Sequence, residues 1–206
     1  WLNSLLKHNP TIRPCIVSED MSAGTYIHEI RERKIYDSFI KLATEMEKEV
    51  DQTNYRWQAR RFCHKVFAVD QMMQWNEDSA IYWFDADVEF TGPIDFAAIE
   101  PPAYGVSCLR RTAWPHSEGG FIGFDKDSDY LTDTWFEFYS SGALFHLKEW
   151  HDVWSFDTSL LLCRTKTKNL AEGVNLKHVW PHTVLSKFST HHKGPGRKKD
   201  AFGTND

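Results

Sequence analysis

Ala80-Ile81-Tyr82-Trp83-Phe84-Asp85-Ala86-Asp87-Val88-Glu89-Phe90 is a short apolar run that ends in two aspartates spaced i, i+2. Aromatic and β-branched residues dominate it, and Asn76, Glu77 and Asp78 precede it as turn formers. That pattern predicts a buried strand. Carboxylates at the end of such a strand stand at the carboxyl edge of a sheet, where α/β proteins bind ligands. Two hard oxygen ligands placed there suit Mg²⁺ or Mn²⁺ and leave coordination positions for substrate phosphates. The chemistry expected is that of an enzyme handling a nucleoside diphosphate.

Spacing alone does not single out this pair. Asp125/Asp127 and Asp127/Asp129 also match Asp-x-Asp, and so short a motif has a high false-positive risk. Context separates the three. Asp125-Lys126-Asp127-Ser128-Asp129 is a polar stretch before a helical pattern and reads as a turn and cap region. Only Asp85 and Asp87 follow an apolar strand.

Working outward, the pattern predicts helices over 1–7, 33–50, 54–75, 131–139 and 156–163. It predicts strands over 12–17, 104–108 and 120–124, with a short one over 178–181. The 33–50 helix carries Ile35, Phe39, Leu42, Ala43 and Met46 on one stripe. Helices alternating with short apolar strands predict an α/β domain with a mostly parallel central sheet flanked by helices. A nucleotide-binding unit of that kind starts on a strand, whereas this sequence starts on a helix. The expectation is one domain over 1–206 that lacks its first strand, with a basic segment over 190–206 able to close on a ligand.

With 206 residues, 41% hydrophobic and 26% charged, the chain has enough material for one substantial core. A net charge of −5 shows no global basic bias and does not indicate a nucleic-acid binder. Cys15, Cys63, Cys108 and Cys163 are far apart and have apolar neighbours. They read as free thiols of a reducing compartment, hence a cytoplasmic protein, and not as a zinc site. No run reaches membrane-spanning length.

The segment Ser189-Thr190-His191-His192-Lys193-Gly194-Pro195-Gly196-Arg197-Lys198-Lys199 combines imidazoles, glycines and cations. An imidazole could complete a metal's shell, glycine lets backbone approach a ligand, and Arg197 could grip phosphate oxygens. A frayed basic terminus is the other reading. Asp85-Ala86-Asp87 after a strand, together with the late His191, Gly194 and Arg197, resembles nucleotide-sugar glycosyltransferases of the GT-A fold. The nearest likeness is to family 8, the glycogenin and galactosyltransferase-like group. Arg197 stands where that family has a lysine. Ser117-Glu118-Gly119-Gly120-Phe121-Ile122-Gly123-Phe124-Asp125 resembles the family's small-residue strand lining the sugar pocket. Trp154-Ser155-Phe156-Asp157-Thr158-Ser159 resembles its acidic helix start, with Asp157 at the first acidic position.

The resemblance implies a GT-A, Rossmann-like fold and a metal-dependent, hexosyltransferase-like enzyme. The donor implied is a nucleotide sugar, a UDP-sugar first among them. Asp85, Asp87 and His191 would hold Mn²⁺ or Mg²⁺, and Lys65, Arg61, Lys193, Gly194 and Arg197 would contact the donor. Asp157 and Glu118 are the candidate catalytic carboxylates, and the family implies retention of configuration. The acceptor is a hydroxyl on a glycan, a protein or another molecule. Trp114, Trp150 and Trp154 are candidates for stacking on sugar rings. Two alternatives stay open. One is nucleotidyl or phosphoryl transfer with the same aspartates and Glu89 as a further carboxylate. The other is a degenerate transferase domain acting as a carbohydrate-binding module.

Overall fold

A computed structural model describes residues 1–18, 27–76 and 79–193. The chain begins with α1 (Leu2–His8), β1 (Ile16–Ser18), β2 (Ile27–Glu29), α2 (Arg33–Met46) and α3 (Ala59–Trp75). Next come β3 (Ile81–Phe84), β4 (Val88–Phe90), α4 (Phe96–Ile99), β5 (Gly105–Leu109) and β6 (Glu118–Phe124). It continues through α5 (Asp129–Ser140), α6 (Asp152–Cys163), β7 (Lys166–Asn169) and β8 (Ser189–His191).

The chain is mixed α/β, but the expected mostly parallel sheet is replaced by a mostly antiparallel one. Its order is β3-β6-β5-β7; β6 runs antiparallel to both β3 and β5, and only β5–β7 is parallel. The reason lies in the connections. A parallel neighbour requires a long crossover, usually a helix. No helix separates β5 from β6, so they form a hairpin with a long loop, whereas α5 and α6 together return the chain to place β7 parallel to β5. Two small sheets stand apart: β1–β2, parallel, and β4–β8, antiparallel.

Alternation along the strands divides the apolar side chains between two cores. Val106, Cys108, Ile122 and Phe124 face a core made with α2, α3, α5 and α6, where Phe39, Phe67, Trp135 and Phe156 are buried. Leu109 and Phe121 face a second core with Leu5, Val88, Phe90, Trp180 and Phe188. Ile81 and Trp83 pack on the first core, Tyr82 and Phe84 on the second. β3 is the sheet's edge strand, so its residues are half-buried rather than buried as expected.

Other boundaries shift for local reasons. The helix expected over 54–75 is interrupted. Asn54 caps a single 3₁₀ turn, Tyr55–Trp57, by accepting from Arg56 N, and α3 begins after it. The strand expected over 178–181 is instead part of a 3₁₀ turn, Trp180–His182, in which Pro181 lies where a missing N–H costs nothing. All four cysteines are free, Cys63 and Cys108 buried and the other two half-buried. Among the described residues no helix is long and apolar enough to cross a membrane.

Candidate metal centre

β3 carries Asp85 to the sheet edge, where its N–H donates to Gly120 O on β6 at 3.0 Å. Val88 N donates back to Asp85 O at 3.0 Å, closing a turn that leaves Ala86 exposed. The chain then enters β4, whose Val88 pairs with His191 of β8. His192 N extends that ladder to Asp87 O at 3.0 Å. Strand pairing therefore places an imidazole beside two aspartates that precede it by half the chain. Ligand atoms of Asp85, Asp87 and His191 all lie within 4.8 Å of one another. His191 Nε2 is 3.0 Å from Asp87 Oδ1.

His191 is buried, and its room comes from Gly120: a Cβ there would collide with the imidazole ring. Behind the ring stands Glu118, its side chain wholly enclosed. Glu118 Oε1 lies 3.2 Å from His191 Nδ1, 3.4 Å from His178 Nδ1 and 2.9 Å from Lys193 Nζ, and Oε2 accepts from Val179 N at 3.2 Å. Burial opposes ionisation of Glu118, but His178, His191 and Lys193 outweigh it and hold its pKa far below the usual carboxylate range. Burial likewise works against a charged His191, but its contacts with Asp87 and Glu118 prevail and raise its pKa.

Lys65 holds the other side. It is buried on α3, and its ammonium reaches Asp152 Oδ2 at 2.6 Å, Gly119 O at 2.8 Å and Asp85 Oδ1 at 3.1 Å. These three bonds use all three of its N–H groups. Burial would lower its pKa, but Asp152 and Asp85 reverse that and raise it. Trp83 Nε1 adds a 2.8 Å bond to the same oxygen of Asp85. The donor set of two carboxylates and one imidazole, steadied from behind on both sides, fits a hard divalent cation.

Other candidate residues fall elsewhere. Arg61 is exposed and bonds to Gln58. Asp157 is not at a helix start: α6 begins at Asp152, with His151 as the cap accepting from Trp154 N. Asp157 lies within that helix, where its two oxygens accept from Ser117 N and Ser117 Oγ at 2.7 Å each. Burial raises its pKa, although the Ser117 bonds oppose this. Glu89 is exposed, bonded to His192 at 3.0 Å, and outside the metal group. Trp150 is buried against Trp57 and Phe145, Trp154 is half-buried under Lys148, and Trp114 is exposed. Gly194 and Arg197 lie outside the described residues.

Sequence reading missed Asp152 and His178. The signal for Asp152 was His151-Asp152 preceding the helical run, obscured because histidine is a rare N-cap.

A second group, His116, Glu149 and His151, also brings ligand atoms within 4.8 Å. Its hydrogen bonds argue against a cation. Arg111 Nη2 donates to His116 Nδ1 at 2.8 Å, and Trp154 N donates to His151 Nδ1 at 3.3 Å. His151 therefore carries its proton on Nε2, and His116 Nδ1 is engaged by Arg111 and by Ser117 O at 2.9 Å, with the guanidinium charge beside it opposing a cation. Burial lowers the pKa of His151, which stays neutral and donates to Glu149 at 3.0 Å. This group braces the start of α6. No family model matches the chain, and no curated protein matches it either.

Proposed function

We propose that the chain is a divalent-cation-dependent glycosyltransferase that moves a sugar from a nucleotide-diphosphate donor to an acceptor hydroxyl. The observation that carries this reading is the meeting of Asp85, Asp87 and His191 at a strand end. These three residues would hold Mn²⁺ or Mg²⁺. Once bound, such an ion neutralises the charge that develops on a departing diphosphate.

The chain's own residues have distinct parts in this reading. Glu118 fixes the His191 ring by accepting from Nδ1, which keeps the Nε2 lone pair for the ion. Lys65 positions Asp85 and Asp152 and, with its three N–H groups engaged, acts through them rather than on phosphate. Lys193, half-buried on Glu118, is the described cation placed to follow the donor. Gly194 and Arg197 would continue that segment. Both oxygens of Glu118 and both of Asp157 accept hydrogen bonds from protein groups. We therefore assign neither as a nucleophile and favour attack by the acceptor on the donor's own leaving face, with retention.

The test is product identity. The protein incubated with a panel of nucleotide sugars and Mn²⁺ is expected to release nucleoside diphosphate slowly even without acceptor, since water can replace the hydroxyl. Asp87→Asn is expected to abolish this release and the Mn²⁺-dependent thermal shift given by the donor. Release of pyrophosphate or nucleoside monophosphate would indicate nucleotidyl or phosphoryl transfer instead. Tight glycan binding without turnover on any donor would indicate a binding module.

A further inference from the structure

Ser, Thr, Asp and Asn are the side chains that best open a helix. α6 is capped instead by His151, whose Nδ1 accepts from Trp154 N at 3.3 Å. Its other nitrogen, Nε2, donates to Glu149 Oε2 at 3.0 Å. The neutral ring thus commits both nitrogens, one as acceptor and one as donor. A second proton would turn Nδ1 into a donor aimed at the Trp154 N–H. The charged ring and the cap therefore exclude each other.

The neighbours decide which form the closed site holds. His151 and Glu149 are buried, at 2% and 4% exposure. From the loop before β6, the His116 ring lies 4.7 Å from the His151 ring, with Arg111 Nη2 2.8 Å from His116 Nδ1. From the 3₁₀ turn before α3, the Tyr55 ring lies at 5.5 Å, and Arg56 Nε is 3.4 Å from Glu149. From α3, the Phe62 ring lies at 5.9 Å, and Lys65 pairs with Asp152, whose Oδ1 is 3.9 Å from His151 Nδ1. Each of the two carboxylates therefore already has a cation of its own. Burial opposes a charged ring, as does His116, and together they outweigh Asp152 and Glu149 and lower the His151 pKa. Well above about pH 6.5 the ring is neutral whether it is in or out of its place. As pH falls through that value, any state in which the ring has left takes up the proton first and gains population.

Asp152 follows His151 directly and moves with it. Its Oδ2 is 2.6 Å from Lys65 Nζ, and the same ammonium is 3.1 Å from Asp85 Oδ1. Unwinding the first turn of α6 takes Asp152 away from that ammonium. The charge of Lys65 then falls on Asp85 and works against a cation there.

We propose that His151 is an acid-released cap: in mild acid its ring takes a second proton, leaves the start of α6 and frees Lys65 to bear on Asp85, so that the candidate cation site is tight at neutral pH and weak in acid. The consequence for a cation rests on the metal reading; the release of the cap does not.

The experiment follows hydrogen exchange of the Trp154 amide by NMR in the metal-free protein at pH 7.5 and 5.0, corrected for intrinsic exchange. Protection in the parent is expected to fall about fivefold, the size of one lost cap. His151→Asn caps without titrating and is expected to protect Trp154 equally at both values; His151→Ser is a second cap of the same kind. His151→Ala is expected to leave the amide unprotected at both. Protection that does not change with pH in the parent, or that falls as much in the Asn and Ser variants, would overturn the proposal. Calorimetric titration with Mn²⁺ gives the second readout. The metal group titrates in every variant, so affinity is expected to fall more steeply toward acid in the parent than in His151→Asn. Parallel falls would overturn the link to Lys65 and Asp85. A pH-sensitive Trp154 amide without Mn²⁺ binding at either pH upholds the releasable cap and removes the metal reading, whereas Mn²⁺ binding beside a pH-insensitive amide removes the cap proposal alone.

Discussion

His191 Nδ1 lies 3.2 Å from Glu118 Oε1, so a fully enclosed carboxylate on β6 dictates which nitrogen of a β8 imidazole faces Asp87. An imidazole that donates from Nδ1 keeps Nε2 for a cation. Glu118→Gln halves the accepting capacity of a group that has four donors around it. Mn²⁺ affinity is expected to fall about 10–100-fold, measured by calorimetric titration, with circular dichroism as the control for folding. Unchanged affinity would reduce Glu118 to a packing role.

Gly120→Ala tests the same geometry without touching any charge. The added methyl would collide with the His191 ring, so the ring must leave its place. Metal-dependent thermal stabilisation is expected to disappear, while unfolding in the absence of metal shifts far less. A variant that keeps its response to Mn²⁺ would show that His191 is not a ligand.

Lys65→Met removes the cation shared by Asp85 and Asp152. Asp152 is buried, with 3% of its side chain exposed, and would lose the only ammonium partner it has among the described residues. Breaking a buried pair on one side costs about 3–5 kcal/mol, to be read from urea unfolding. Combining it with Asp152→Leu is expected to recover part of that loss, because no uncompensated charge then remains in the interior. A double variant less stable than Lys65→Met alone would contradict the pairing.

Asp70 offers a pH test away from the candidate metal centre. It is buried on α3, and burial first, then Asp133, push its pKa to about 6, although a bond from Gln74 and the Arg31 charge oppose the rise. The native state thus prefers the protonated carboxyl more than the unfolded chain does. Below about pH 4 both states are protonated and the site costs nothing. Stability then falls as pH rises toward 6, and the loss is complete above it. Asp70→Asn is expected to be more stable than the parent at pH 7.5 and indistinguishable near pH 3.8. An equal gain at both values would assign the effect to packing.

The parts of the molecule legible in the sequence are those with strong apolar patterns. The 80–90 run and the small-residue strand at 118–124 occur close to where expected, because their burial demands follow directly from residue type; the α2 stripe does so only in part, since Phe39 and Ala43 are buried but Leu42 is exposed and Tyr36, left out of the expected stripe, is buried. Strand direction was not legible. β7 is Lys-Thr-Lys-Asn, and β4 and β8 are three residues each, so none carries the alternation that announces a strand. Without them the count of helices between strands is wrong, and the inferred sheet is wrong with it. Within the site, the two aspartates and His191 were readable from residue type and order. Asp152 was not, since a histidine cap at 151 left the aromatic Trp154-Ser155-Phe156-Asp157 stretch looking like the start of the helix. The role of Glu118 was also hidden, since only the fold brings β8 across its carboxylate.

The pairing of β4 with β8 has a consequence for synthesis. Glu89 and His192, neighbours across that pairing, are 103 positions apart. At ordinary translation speeds the carboxylate pair leaves the ribosome roughly 5–20 s before its histidine. During that interval β4 has no strand beside it and Asp87 has no imidazole. The three candidate ligands can therefore come together only after β8 has been made, and on the proposed reading an ion bound there would hold the newly made strand against one synthesised much earlier.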